Sequence, residues 1–183
     1  VVIKRQIGIV EYKYRINWSK VEFTNKLEDI EHPIVREALI FFNIDFPIEI
    51  TTFSDIPGQT GLGSSSAFAV GLVHALHALK GKMVTKHTIA TEAAHLEVDV
   101  LGRAMGKQDH FASAYGNLNV FTFTSDEVVS VEPVLYDAET KKHIQSNLML
   151  FYLKSKRDAS KILESQQRET QNKLNELRSI KNL

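Results

Sequence analysis

The sequence predicts an α+β fold, a mainly antiparallel sheet carrying helices on one side, with the beginning of a second α+β domain from about Leu148. Three observations lead there. Short segments alternate with period two, Ile48, Ile50 and Thr52 against Glu49, Thr51 and Phe53, and more loosely Tyr12, Tyr14 and Ile16 against Lys13, Arg15 and Asn17; this is the pattern of strands with one buried face. The run Phe68 to Leu79 is apolar apart from two histidines and long enough for a helix. Between that strand and that helix lies a loop of glycines and hydroxyls, Asp55 to Ala67.

Taken in order, Val1 to Trp18 reads as one or two strands at the sheet edge. The polar stretch Asn25 to Glu31 leads into His32-Pro33, and Pro33 suits the first turn of a helix running to about Phe42. Ile34, Val35, Ala38, Leu39, Phe41 and Phe42 would form its buried stripe. Pro47 to Phe53 is a strand, followed by the loop and the long helix. Gly81-Lys82 ends that helix, and Thr85 caps the next, which continues through Ile89, Ala93, Leu96 and Val100 to about Leu101. Gly102 to Gly106 breaks the pattern. After Gly116-Asn117 come two strands, Leu118 to Thr124 and Val128 to Val134, joined by a turn at Ser125-Asp126-Glu127. Leu148 to Lys154 reads as a buried strand, and beyond Asp158 a polar helix is anchored by Ile162, Leu163, Leu174, Leu177 and Ile180.

At 183 residues the chain can bury one substantial core, or one domain and part of another. Lysine plus arginine balances aspartate plus glutamate at 22 each, which argues against nucleic acid as the main partner, since phosphate backbones demand a basic surface. The absence of cysteine rules out disulfides and thiolate metal sites and fits a reducing compartment. The most apolar stretch, Ala67 to Leu79, is too short to span a bilayer, and no signal peptide is visible. A soluble, cytoplasmic protein is expected, with no membrane partner. Composition is silent on oligomeric state.

The loop is where chemistry is expected. Gly61 and Gly63 let the backbone turn tightly and approach a ligand, while the N–H groups at the start of the following helix await an anion. Ser64, Ser65 and Ser66 add hydroxyl donors, or a ligand for a hard metal ion. The plainer alternative is that the serines cap the helix and the glycines turn the chain. The loop lacks the lysine of a Walker A motif and does not fit the dinucleotide GxGxxG fingerprint.

With Pro57, Gly61, Leu62, Gly63, Ser64 and Ser65, the loop resembles the PxxxGLGSS phosphate loop of the GHMP kinases. The resemblance implies ATP and Mg2+ as cofactors and phosphoryl transfer to a small-molecule alcohol, a reaction that needs phosphates held, charge neutralised and a carboxylate near the attacking hydroxyl. It assigns the phosphates to the loop, the metal to Ser65 and Glu97, and the catalytic carboxylate to Asp109 of Gly106-Lys107-Gln108-Asp109. Glu92 and Asp99 lie on the same helix as Glu97, and only the resemblance separates them. Lys107 is either a surface lysine or a contact for a substrate phosphate. The histidines offer two-residue pairs, Glu92 with His95 and His74 with His77, that complete no metal site. His110 adjoins Asp109, but neighbours on a helix do not face each other.

The runs Ile56 to Ser66, His74 to Val84 and Leu101 to Gly116 are similar to the sugar-kinase branch typified by D-glycero-D-manno-heptose 7-phosphate kinase. So is Arg157 to Leu163, which resembles the opening of that family's second domain and makes Arg157 a further candidate substrate contact. The implied reaction is phosphorylation of the anomeric hydroxyl of a sugar phosphate, heptose 7-phosphate to the 1,7-bisphosphate. Fucose- and galactose-type kinases share the loop, and two other readings stand beside it: a catalytically silent nucleotide-binding relative, and an unrelated structural domain with a Gly/Ser cap. The resemblance also implies a left-handed β-α-β crossover, an exception to the usual handedness. Paired glycines are usual in the family where Gly116-Asn117 stands here, which requires Asn117 in a left-handed turn. The family's opening motif belongs before Val1 and its third glycine-rich motif after Leu183. Residues 1–147 are thus expected to be an N-terminal ATP-binding domain without its opening motif, and 148–183 the truncated start of a C-terminal domain, so that activity of this piece alone is not expected.

Overall fold

The computed structural model describes residues 1–55, 58, 60–151, 163, 165, 166 and 168–181. Strands β1 (Val2–Arg5), β2 (Tyr14–Asn17), β3 (Val21–Thr24) and β4 (Ile48–Thr51) form one sheet in the order β1-β4-β2-β3. The β1/β4 and β2/β3 pairs are antiparallel, and β2 and β4 run parallel. Both early strands were expected at sheet edges, but β2 is interior. Its Tyr14 and Ile16 are wholly buried, as a strand flanked on both sides and covered by helices requires.

Helices α1 (Pro33–Phe41), α2 (Ser64–Leu79) and α3 (Lys86–Ala94) supply the other wall of the core. Tyr14, Ile16, Ile48 and Ile50 of the sheet join Val35 and Leu39 of α1, Leu72 and Leu76 of α2, and Ile89 and Ala93 of α3 in one buried cluster. Truncating a fully buried leucine such as Leu72 to alanine costs about 2–5 kcal/mol. The opposite sheet face is polar: Asn17 Nδ2 donates to Glu49 Oε1 at 3.1 Å and Thr51 Oγ1 at 2.7 Å, and Arg15 pairs with Glu49 at 3.1 Å.

The helix starts follow their chemistry. Pro33 occupies the first position of α1, where its missing N–H costs nothing, and His32 caps the helix with Nδ1 accepting from Val35 N at 3.4 Å. The Thr85 hydroxyl accepts from Thr88 N at 3.1 Å and caps α3 as expected. Phe41, assigned to the buried stripe of α1, is 45% exposed, whereas Phe42 is buried; Ile34, Val35, Ala38, Leu39 and Phe42 share one face of the helix, and Phe41 falls beyond its edge.

At Ala94 the chain does not stop but widens into a π-helical stretch, His95–Val100, in which Leu101 N donates to Leu96 O at 3.1 Å. Helix α4 (Gln108–Tyr115) follows, then β5 (Asn119–Phe123) and β6 (Val129–Pro133), an antiparallel pair forming its own two-stranded sheet. Asn117 takes the left-handed φ of 59° required of it. The sequence reading assigned nothing to α5 (Ala138–Ser146), whose Asp137 cap accepts from Thr140 N at 2.7 Å; no residue of α5 is buried, so no apolar stripe marks it. Leu148 to Phe151 is not a buried strand: all four residues are strongly exposed, and nothing among the described residues covers them. The rest of that stretch, with Arg157 and Ile162, lies outside the described residues. The chain's final helix spans Leu174–Lys181, and its apolar anchors are exposed.

Candidate active site

Helix α2 begins without a side-chain cap. Gly63 holds the cap position in the left-handed conformation, φ 67°, and Gly61 has φ 77°. Both values are ones that only glycine adopts cheaply. Ser64, Ser65 and Ser66 therefore lie inside the first turn, and the plain capping role is not theirs. The hydroxyls of Ser66 and Thr60 are buried and have no hydrogen-bond partner among the described residues. Leu62 is half-exposed, and Pro57 lies outside the described residues.

Ser65 points to Glu97. Its hydroxyl donates to Glu97 Oε1 at 2.5 Å, and the second carboxylate oxygen accepts from His110 Nε2 at 2.9 Å. Arg103 completes the group, with Nη1 donating to Ser65 Oγ at 2.7 Å and also to Glu97 Oε1. Glu97 and His110 are both wholly buried. Burial pushes the Glu97 carboxyl up, but the hydrogen bonds from His110 and Ser65 and the charge of Arg103 outweigh it and hold the group below the usual glutamate range. The carboxylate is thus kept ionised inside the protein. The π-helical stretch carries it there, since Leu96 and Glu97 are consecutive yet both fully buried; such stretches recur at functional sites.

The rivals on this helix are engaged elsewhere. Glu92 accepts from His77 Nε2 at 2.6 Å, and Asp99 pairs with His95 at 2.8 Å on the surface. No cluster of three or more metal-ligating side chains occurs among the described residues.

Asp109 sits in the first turn of α4 and is half-buried against the loop. A β-carbon built on Gly63 would lie 3.2 Å from both Cγ and Oδ2 of Asp109. His110, the next residue, reaches into the Glu97 group. Lys107 pairs with Glu127 in the β5–β6 turn. Arg157 lies outside the described residues. The sequence reading missed two members of the group, Arg103 and His110. Spacing could not reveal Arg103, whose partners are six and 38 residues away, and His110 acts on Glu97, 13 residues away, not on the adjacent Asp109.

A Gly-Ser turn at a helix start, a buried hydroxyl-carboxylate pair and a second carboxylate against the turn thus come together at one end of α2. Residues 32–117, which contain all of them, match the family described as GHMP kinases N terminal domain. Over this stretch the chain is similar to a GHMP kinase N-terminal domain. A D-glycero-alpha-D-manno-heptose 7-phosphate kinase from Campylobacter jejuni is 28% identical over 174 residues, 89% of this chain and 50% of that protein. A mevalonate kinase from Archaeoglobus fulgidus is 39% identical over 93 residues, 49% of this chain and 32% of that protein. The fold itself recurs in the crystal structure of a D-glycero-D-manno-heptose 1-phosphate kinase from Bacteriodes thetaiotaomicron, with a TM-score of 0.70 at 22% identity over 79% of this chain and 50% of that one. The chain spans half or less of the length of these relatives. No helix among the described residues is long and apolar enough to cross a membrane.

Proposed function

We propose that this GHMP kinase domain belongs to an ATP- and Mg2+-dependent sugar kinase of the cytoplasm that phosphorylates the anomeric hydroxyl of a sugar phosphate, with D-glycero-D-manno-heptose 7-phosphate as substrate. The observation that carries the reading is the meeting of Asp109 and Gly63 beside the Ser65–Glu97 pair. Phosphates are assigned to Gly61 to Ser66, where the first N–H groups of α2 and the helix dipole favour negative charge. Ser65 and Glu97 are hard oxygen donors of the kind Mg2+ takes, and the cation they already share, the Arg103 guanidinium, supports their fitness to hold one. When bound, Mg2+ neutralises charge on the phosphates. Asp109 orients the sugar hydroxyl and accepts its proton. Lys107, paired with the exposed Glu127, can exchange that carboxylate for a substrate phosphate.

The choice of heptose follows the sugar-kinase relative that covers most of this chain. Turnover of ATP by the full-length protein against phosphorylated and unphosphorylated sugars tests it. Preference for a non-phosphorylated hexose overturns the substrate, and nucleotide binding without turnover on any sugar overturns the kinase.

A further inference from the structure

The Ser65–Glu97 pair already has a cation. Arg103 Nη1 is bonded to both oxygens that the proposed function gives to the metal, Ser65 Oγ at 2.7 Å and Glu97 Oε1. Those lone pairs are nearly used up: Ser65 Oγ also donates to Glu97 Oε1, and Glu97 Oε2 is taken by His110. A divalent ion on the same oxygens and a guanidinium nitrogen bonded to both compete for the same electrons. They also repel as like charges at close range. Leaving Glu97 without any partner is no alternative, because an ionised carboxylate with no exposed surface is costly unless paired.

We infer that Arg103 is a stand-in cation: it neutralises and positions the Ser65–Glu97 pair before nucleotide arrives, and is displaced when the metal–nucleotide complex takes those oxygens. Its position suits an exchange confined to one side chain. The Arg103 backbone is fixed by its N–H donating to Glu97 O at 3.1 Å, while the side chain is 35% exposed and can leave toward water without opening the core. His110, wholly buried, stays and keeps the carboxylate in register. Arg103 is in this sense a positioning residue that also sets a threshold for metal: free Mg2+ alone is kept out, and the ion enters with the phosphates that supply its remaining ligands.

The inference rests on Ser65 and Glu97 being the metal pair, and the test separates the two. Binding of Mn2+ without nucleotide is measured on the full-length protein by the loss of the free-ion electron paramagnetic resonance signal, alongside Tm. Arg103→Gln keeps hydrogen-bonding reach but removes the charge, whereas Arg103→Lys keeps a cation. Parent and Arg103→Lys should bind Mn2+ weakly. Arg103→Gln should bind about tenfold or more tightly by comparison, a conservative reading of close like-charge repulsion, and Mn2+ should restore Tm lost in that variant. Equal Mn2+ affinity in parent and Arg103→Gln overturns the inference. Adding Ser65→Ala to Arg103→Gln should abolish the gained affinity; survival of that affinity overturns the assignment of the pair as metal ligands instead. Should Arg103→Gln fail to fold, the side-chain Nε–H resonance of Arg103 in the parent decides. It should shift when Mg2+ and ADP are added together and not with ADP plus EDTA, and an unmoved resonance overturns the exchange.

Discussion

A methyl group on Gly63 would come within 3.2 Å of the Asp109 carboxyl carbon, so the tip of the loop and the start of α4 touch across the candidate site. Gly61, with φ 77°, has open space where its side chain would be. The two glycines should respond differently. Gly61→Ala incurs only the left-handed backbone cost, about 1–2 kcal/mol, and weakens ATP binding through the altered turn. Gly63→Ala incurs the same cost and displaces Asp109 as well, so it should lower kcat in addition. Calorimetric ATP titration with steady-state kinetics on the full-length protein separates the two, and identical behaviour would remove Asp109 from the loop's company.

Asp109→Asn preserves size and removes the charge that accepts a proton. Its kcat should fall by about a hundredfold to ten-thousandfold, the usual worth of a positioned general base, with ATP affinity within a few-fold of the parent. Asp99→Asn, at a surface carboxylate paired with His95, serves as the control and should be mild. A fall of only a few-fold at Asp109 would take the base role from it.

Lys107 and Glu127 form a pair with the glutamate largely exposed, and exposed pairs contribute about 0–1 kcal/mol. Glu127→Gln should therefore leave the chemical denaturation midpoint almost unchanged. Lys107→Met should raise KM for a phosphorylated sugar and leave KM for ATP alone. Equal effects on both would place Lys107 with the nucleotide.

His32 gives a pH signature. Burial between Trp18 and Phe68, whose rings lie 4.8 and 4.9 Å away, pushes its imidazole below the ordinary histidine range, and Nδ1 must stay unprotonated to accept from Val35 N. The unfolded chain then binds more protons than the folded one, so stability rises with pH. The contribution is present above the ordinary histidine pKa of about 6.5 and is lost as pH falls through the lowered folded value. Urea denaturation across that window should show the slope, and His32→Asn, which keeps a capping oxygen without titrating there, should flatten it. An unchanged slope would assign the acid sensitivity elsewhere.

Much of this was legible because local chemistry and global fold agreed. Pro33 and Thr85 mark helix starts by what they can and cannot hydrogen-bond, and Ile48 to Thr51 alternates because only one sheet face is buried. The spacing of Gly61, Gly63 and Ser65 located the loop in the same way. What the sequence concealed depends on distance along the chain or on a missing stripe. Arg103 meets Ser65 only because α2 and the π-helical stretch lie side by side. Helix α5 buries nothing and so carries no apolar period. The Leu148–Phe151 run looked buried because it is apolar, yet apolar character alone does not supply a neighbour to pack against.

The π-helical stretch has a consequence for how the gene can change. A helix that closes five-residue turns at His95–Val100 contains one residue more than an α-helix over the same path. That surplus residue lets the chain spend Leu96 on the apolar core and the next residue on the polar site. Loss of any single codon within His95–Val100 would restore the ordinary helical count while leaving α3, which that stretch continues, its docking surface. The domain could then still fold around its sheet, with either the core leucine or the buried glutamate turned off its target. Single-residue deletions here, as opposed to substitutions, are the changes that would part the fold of this domain from its chemistry.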